Sequence, residues 1–160
     1  MTQDTRTNTG IGTSSSANTG DLTGSAANDG ARIAGSSYHH DHSGPGPEVM
    51  AASSLEGETV QNHQGETLGE IEEIMLDVRG GRIAYAVLAV GGFLGMGEKY
   101  FAIPWRALTL DTDRKCFLLD VDKDRLKNAP GFDKEHWPSM ADQKWAGDVH
   151  QYYGTVPYWE

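Results

Sequence analysis

Gly81-Arg82-Ile83-Ala84-Tyr85-Ala86-Val87-Leu88-Ala89-Val90-Gly91-Gly92-Phe93-Leu94-Gly95-Met96-Gly97-Glu98-Lys99-Tyr100-Phe101-Ala102-Ile103-Pro104-Trp105 is the stretch on which the reading of this chain turns. Residues 83–90 are apolar on both alternating faces, with Ile83, Tyr85 and Val87 on one and Ala84, Ala86, Leu88 and Val90 on the other. A strand with one wet face would alternate apolar with polar, so this run predicts a strand covered from two sides, as in a closed barrel. Glycines then open a loop, and residues 100–104 resume as a second strand. The uncharged run over residues 83–97 is 15 residues long, short of the ~20 that a membrane-spanning helix needs.

Upstream, residues 67–77 set Leu68, Ile71, Ile74 and Leu76 among Glu70, Glu72 and Glu73. The mixed spacing admits a helix, but Gly69 and the bounding turns favour a bent strand. Residues 55–60 form a short extended run that ends in a turn signal at 62–65, and residues 79–82 carry another. Downstream, residues 111–114 read as a turn, 116–121 as a strand, and 123–128 as a short helix stopped by Pro130. Short strands parted by turn signals every 8–12 residues or so predict an all-β barrel or sandwich. No strand–helix–strand unit is present, which excludes doubly wound folds.

The flanks differ from this centre. Residues 1–50 are rich in Ser, Thr, Gly and Asn, with few large apolar side chains. They cannot bury enough surface to offset about 1–2 kcal/mol per residue of backbone ordering entropy, so a disordered tail is expected. Residues 129–160 hold seven of the 14 aromatic side chains: Phe132, Trp137, Trp145, Tyr152, Tyr153, Tyr158 and Trp159. A disordered segment would not carry them. Ser139 and Asp142 resemble a capping box, and Ala141, Trp145, Val149 and Tyr152 fall on one helical face. The division expected is a tail over 1–50, a barrel domain over 51–128 and an aromatic extension over 129–160 packed on the barrel.

The order Leu55-x-Gly57-x-x-Val60, Gly65-Glu66-x-Leu68-Gly69-x-Ile71, Gly81-Arg82-Ile83-x-Tyr85, residues 91–99, and Phe101-x-Ile103-Pro104-Trp105 resembles the PRC-barrel family. The run from Gly91 to Trp105 is its most specific part. The resemblance implies a small six-stranded β-barrel, similar to that of the photosynthetic reaction-centre H subunit and of a bacterial ribosome-maturation factor. In both settings the barrel is chiefly a surface for protein contacts. This chain looks most like stand-alone bacterial members, whose aromatic tails ending in Pro-Tyr-Trp are similar to Trp137 to Trp159 here. The expected fold class is therefore all-β, a PRC-type barrel with a short helix, a disordered N-terminal tail and an aromatic, partly helical C-terminal extension.

Chemistry-bearing patterns are sparse. The loop at 91–97 lacks both the helix that follows a dinucleotide fingerprint and the Gly-Lys-Ser/Thr of a phosphate loop. It reads as a hairpin loop that displays Phe93 and Leu94. His39-His40-Asp41-His42 offers metal-type ligands, but adjacent ligands in a floppy tail form no preorganised site. Asp120-x-Asp122-x-Asp124 begins like a calcium loop, then places Arg125 where Gly is needed and Gly131 where Glu is needed. Cys116 is the only cysteine, which excludes internal disulfides, and no motif ties it to His63, His136 or His150. No catalytic residue, metal or cofactor is expected.

A net charge of −10 disfavours phosphate backbones and anionic membranes. What remains is a non-enzymatic protein-interaction module of the bacterial cytoplasm, serving stress or membrane-associated complexes, with a homodimer among its expected assemblies. Its partner-binding residues are expected to be Phe93, Leu94, Trp137, Trp145, Tyr152, Tyr153, Tyr158 and Trp159. The competing expectations are a ribosome- or RNA-associated assembly factor and a small-ligand-binding barrel.

Overall fold

The structure, a computed structural model, describes residues 30–35, 47–92 and 97–160. Most of the expected tail, His39, His40, Asp41 and His42, and the loop residues Phe93 and Leu94 lie outside the described residues. Eight strands form one sheet: β1 (Arg32–Ala34), β2 (Thr59–Gln61), β3 (Thr67–Asp77), β4 (Arg82–Val90), β5 (Lys99–Pro104), β6 (Leu108–Asp111), β7 (Cys116–Leu119) and β8 (Gly131–Phe132). Two helices, α1 (Lys123–Lys127) and α2 (Gln143–Tyr153), follow β7 and β8 respectively. The strand order is β1-β6-β7-β2-β3-β4-β5-β8. Its six central strands, β2 to β7, match the expected barrel count. The ladder is not closed, because β5 and β6 are joined through a 3-10 turn, Trp105–Ala107, and do not pair.

Each central strand contributes to a single apolar cluster: Val60 of β2, Leu68 and Ile71 of β3, Ala86 and Leu88 of β4, Phe101 and Ile103 of β5, Leu108 of β6, and Phe117 and Leu119 of β7. The sheet therefore curls around its own inner face, and Leu126 of α1 joins the same core. Curvature is written into β3, whose pairing with β4 slips between Ile71 and Glu73 and again between Met75 and Leu76. Such irregularities bend a strand and increase its twist. Gly69 permits close approach on this strand, since a β-carbon there would lie 2.3 Å from the Ala89 carbonyl oxygen. The bent-strand reading of residues 67–77 is the one observed.

Side chains hold the tight turns. Asn62, 1% exposed, accepts hydrogen bonds at Oδ1 from the amides of Gln64 (3.1 Å) and Glu66 (2.9 Å) and donates through Nδ2 to Glu66 (2.7 Å). Asp111 Oδ1 accepts in the same way from Asp113 and Arg114, closing the β6–β7 turn. Asp122 caps α1 by accepting from the Arg125 amide (2.6 Å), which gives the acidic run after β7 a structural role.

The doubly apolar face of β4 has a physical explanation in the C-terminal extension. Ala86 and Leu88 face the barrel core, whereas Ala84 and Tyr85, with Ala102 of β5, pack against Ala146 and Val149 of α2. The start of α2 differs from the sequence expectation. Asp142 is the N-cap, accepting from the Trp145 amide (2.8 Å), while Ser139 only closes the preceding turn through its carbonyl. Shifting the start moves the buried stripe to Ala146, Val149 and His150, and leaves Ala141 exposed ahead of the helix. Gly154, at φ 66°, stops α2, and the Thr155 amide donates back to the His150 carbonyl (3.0 Å). Two further differences concern the ends of the sheet. Arg32–Ala34, inside the expected tail, runs parallel to β6, and Gly131–Phe132 adds to β5.

Candidate functional site

Five of the seven aromatic side chains of the extension gather over β4 and β5 in two groups, while Tyr152 and Tyr153 pair with each other beside α1. Tyr85 is the hub of the first. Its ring, 1% exposed, meets Trp145 at 5.6 Å, His150 at 5.5 Å and Tyr158 at 5.6 Å between centroids. Trp159 stands edge-on to His150 (5.5 Å) and to Tyr158 (4.9 Å). The segment after α2 is tied back to the sheet by two guanidinium groups, Arg82 donating to the Tyr158 carbonyl and Arg106 to the Val156 carbonyl. In the second group Trp137 rests on Phe132 (5.0 Å) and Tyr100 (6.0 Å), and its indole N–H donates to the Lys134 carbonyl (2.8 Å).

Buried polar atoms set the electrostatics beneath this cover. Nδ1 of His150 lies 2.8 Å from the Thr155 hydroxyl, while its Nε2 and the phenol oxygens of Tyr85 and Tyr153 are buried without a hydrogen-bond partner among the described residues. Burial, and then the positive charge of Arg106, lower the His150 pKa to about 4. Burial raises Tyr85 and Tyr153 well above the usual phenol range, assisted by Tyr158 and Tyr152 respectively. Cys116 is buried with its thiol near Gln61, and burial followed by the Asp111 charge pushes its pKa up. Reactive thiols need the opposite shift. His63 and His136 are exposed and lie beside Asp120 (3.8 Å) and Asp133 (3.9 Å). Among the described residues no three His, Cys, Asp or Glu side chains converge on a metal-sized site.

The expected partner-binding residues thus divide. Trp145, Tyr152, Tyr153 and Tyr158 are half-buried in contacts within the chain, with Tyr152 held by Arg125 through its carbonyl (2.7 Å) and its ring face. Trp137 and Trp159 remain 40% and 37% exposed. Val156, 56% exposed beside Trp159 in sequence, and Leu76 and Val78 at the β3–β4 hairpin add apolar surface that the sequence reading did not single out. Val78 falls between strands, where nothing in its neighbours marks an exposed apolar side chain.

Residues 47–126 match the PRC-barrel domain. The chain belongs to the PRC-barrel family. The matched span opens before β2 and closes within α1, so β1, β8 and α2 lie outside it. Among solved structures the chain is similar to a 16S ribosomal RNA processing protein RimM from Pseudomonas aeruginosa, at 22% identity and a TM-score of 0.33, over 47% of this chain and 45% of that one. The chain thus spans less than half the length of that protein. No curated protein matches. No helix among the described residues of this PRC-barrel protein is long and apolar enough to cross a membrane.

Proposed function

We propose that the protein is a non-enzymatic protein-interaction module of the bacterial cytoplasm, and that Trp137 and Trp159 are its anchors. The observation that carries this reading is two exposed indoles, each fixed in place by its neighbours. Trp137 is held by two rings and a hydrogen bond, and Trp159 by His150 and Tyr158. A large aromatic surface whose rotamer is already set binds with little further loss of side-chain entropy. The barrel supports both indoles, since their underlying rings reach back to Tyr85 of β4 and Tyr100 of β5.

Affinity capture from source-cell lysate, comparing the wild-type chain with W137A, W159A and the double variant, tests this. Thermal melting of each variant checks that the fold is kept. The expected result is loss of specific partners from at least one variant whose melting stays cooperative. Retention of every partner by the double variant would remove the tryptophans from the interface. Co-sedimentation of the chain with ribosomal particles, released by salt with the steep slope of phosphate contacts, would replace this reading with the ribosome-associated one.

A further inference from the structure

Lys123 and Lys127 stand four residues apart on α1 and therefore on one helix face. Both border a notch of about 240 Å³ at the end of the sheet. Its floor is apolar and rigid: Leu68 of β3, Val90 of β4 and Leu126 of α1, of which Leu68 and Leu126 belong to the barrel core. Thr67 and the backbone of Gly91 and Gly92 complete the wall. Among the described residues, nothing lies within 4 Å of where a β-carbon would stand on either glycine. Among the described residues no acidic one lines the notch, although the chain carries a net charge of −10. Neither lysine has an ion-pair partner among the described residues. Of the nearby carboxylates, Asp122 caps α1 and Asp120 lies 3.8 Å from His63, while Asp124 stands on α1 between the two lysines and does not line the notch.

A pocket with a fixed aliphatic floor and two ammonium groups at its rim suits a ligand that carries an anion and a short hydrocarbon close together. Lysine supplies point charges rather than the planar fork of arginine, so a single carboxylate satisfies it. The volume is below the ~300 Å³ at which drug-sized sites begin, which excludes an acyl chain or a nucleotide and leaves room for about one amino-acid residue. A polypeptide C-terminus places a carboxylate and a side chain on one carbon. We propose that this notch captures the C-terminal residue of a partner polypeptide, its carboxylate between Lys123 and Lys127 and its aliphatic side chain on Leu68, Val90 and Leu126.

The occupant rests on the protein-binding reading, but the surface is separate from the tryptophans, and a small probe tests it without any captured partner. Amide chemical shifts of the full chain are followed by NMR during titration with N-acetyl-leucine, with N-acetyl-leucinamide and inorganic phosphate as comparisons. The expected result is saturable, millimolar binding of the acid that shifts Thr67, Gly91, Gly92 and Lys127. The amide and the variant K123Q/K127Q should each weaken it at least tenfold, with the variant's melting unchanged. Equal shifts from acid and amide, the same pattern from phosphate alone, or no saturable shift at these residues would overturn the proposal. A probe that binds here while W137A/W159A keeps every partner would sink the tryptophan anchors and leave the notch standing. The reverse pairing would do the opposite.

Discussion

At Gly69 a β-carbon would lie 2.3 Å from the Ala89 carbonyl oxygen across the β3–β4 ladder, whereas at Gly147 on α2 it would meet nothing within 4 Å. Backbone cannot yield as a side-chain end can, so G69A should lose about 2 kcal/mol or more by overpacking. G147A should gain about 0.5–1 kcal/mol from helix propensity and a less flexible unfolded chain. Urea denaturation of the two variants should move the midpoint in opposite directions. His150 makes a third test at this scale. Its folded pKa of about 4 lies below the unfolded value of 6.5, so the unfolded state binds the proton more tightly. The stability from a neutral His150 is complete above pH 6.5 and drains away as the pH falls toward 4. That difference corresponds to roughly 3 kcal/mol. Across this window the stability of wild type relative to H150F should fall as the medium is acidified, read from melting curves of the two. A constant gap between them would mean that the imidazole is not buried in its neutral form.

The elements that the sequence disclosed are those whose signals are local. The turn signals at 62–65 and 111–114 correspond to turns held by Asn62 and Asp111, and Gly69 marks where β3 approaches the Ala89 carbonyl too closely for a side chain. Strands β1 and β8 left no such mark, because three residues and two residues become strand only by pairing with β6 and β5. β6 escaped notice for a related reason: four residues after a 3-10 turn show too little alternation to stand apart. For α2 the start lies at Asp142 rather than Ser139, because the Asp142 carboxylate accepts from the Trp145 amide whereas Ser139 meets the helix only through its backbone carbonyl. D142A should therefore destabilise the protein by about 1 kcal/mol, and S139A should be nearly neutral. Thermal melting of both variants separates the two residues.

Across the whole molecule, the extension is part of what keeps the sheet dry. A chain ending at Asn128 would uncover Ala84, Tyr85 and Ala102, and would strip Phe132 and Trp137 from Tyr100. Such a chain should lose its cooperative melting transition and expose apolar surface to a hydrophobic dye. A truncation that melts as wild type does would show that the cover is dispensable. The candidate site was legible in composition, since a third segment dense in Trp and Tyr must dock on something. Which rings stay outside was not legible, because that depends on how α2 lies over Tyr85, and no single sequence pattern encodes it. The parallel pairing of β2 with β7, at Val60 with Phe117 and Gln61 with Leu118, carries a consequence for synthesis. The earliest strand of the barrel is completed by one of the last, so a nascent chain halted before Cys116 holds β2 with an unsatisfied edge. Refolding dominated by such distant contacts belongs to the millisecond-to-second regime, and on the ribosome the barrel must wait for most of its own length before it can form.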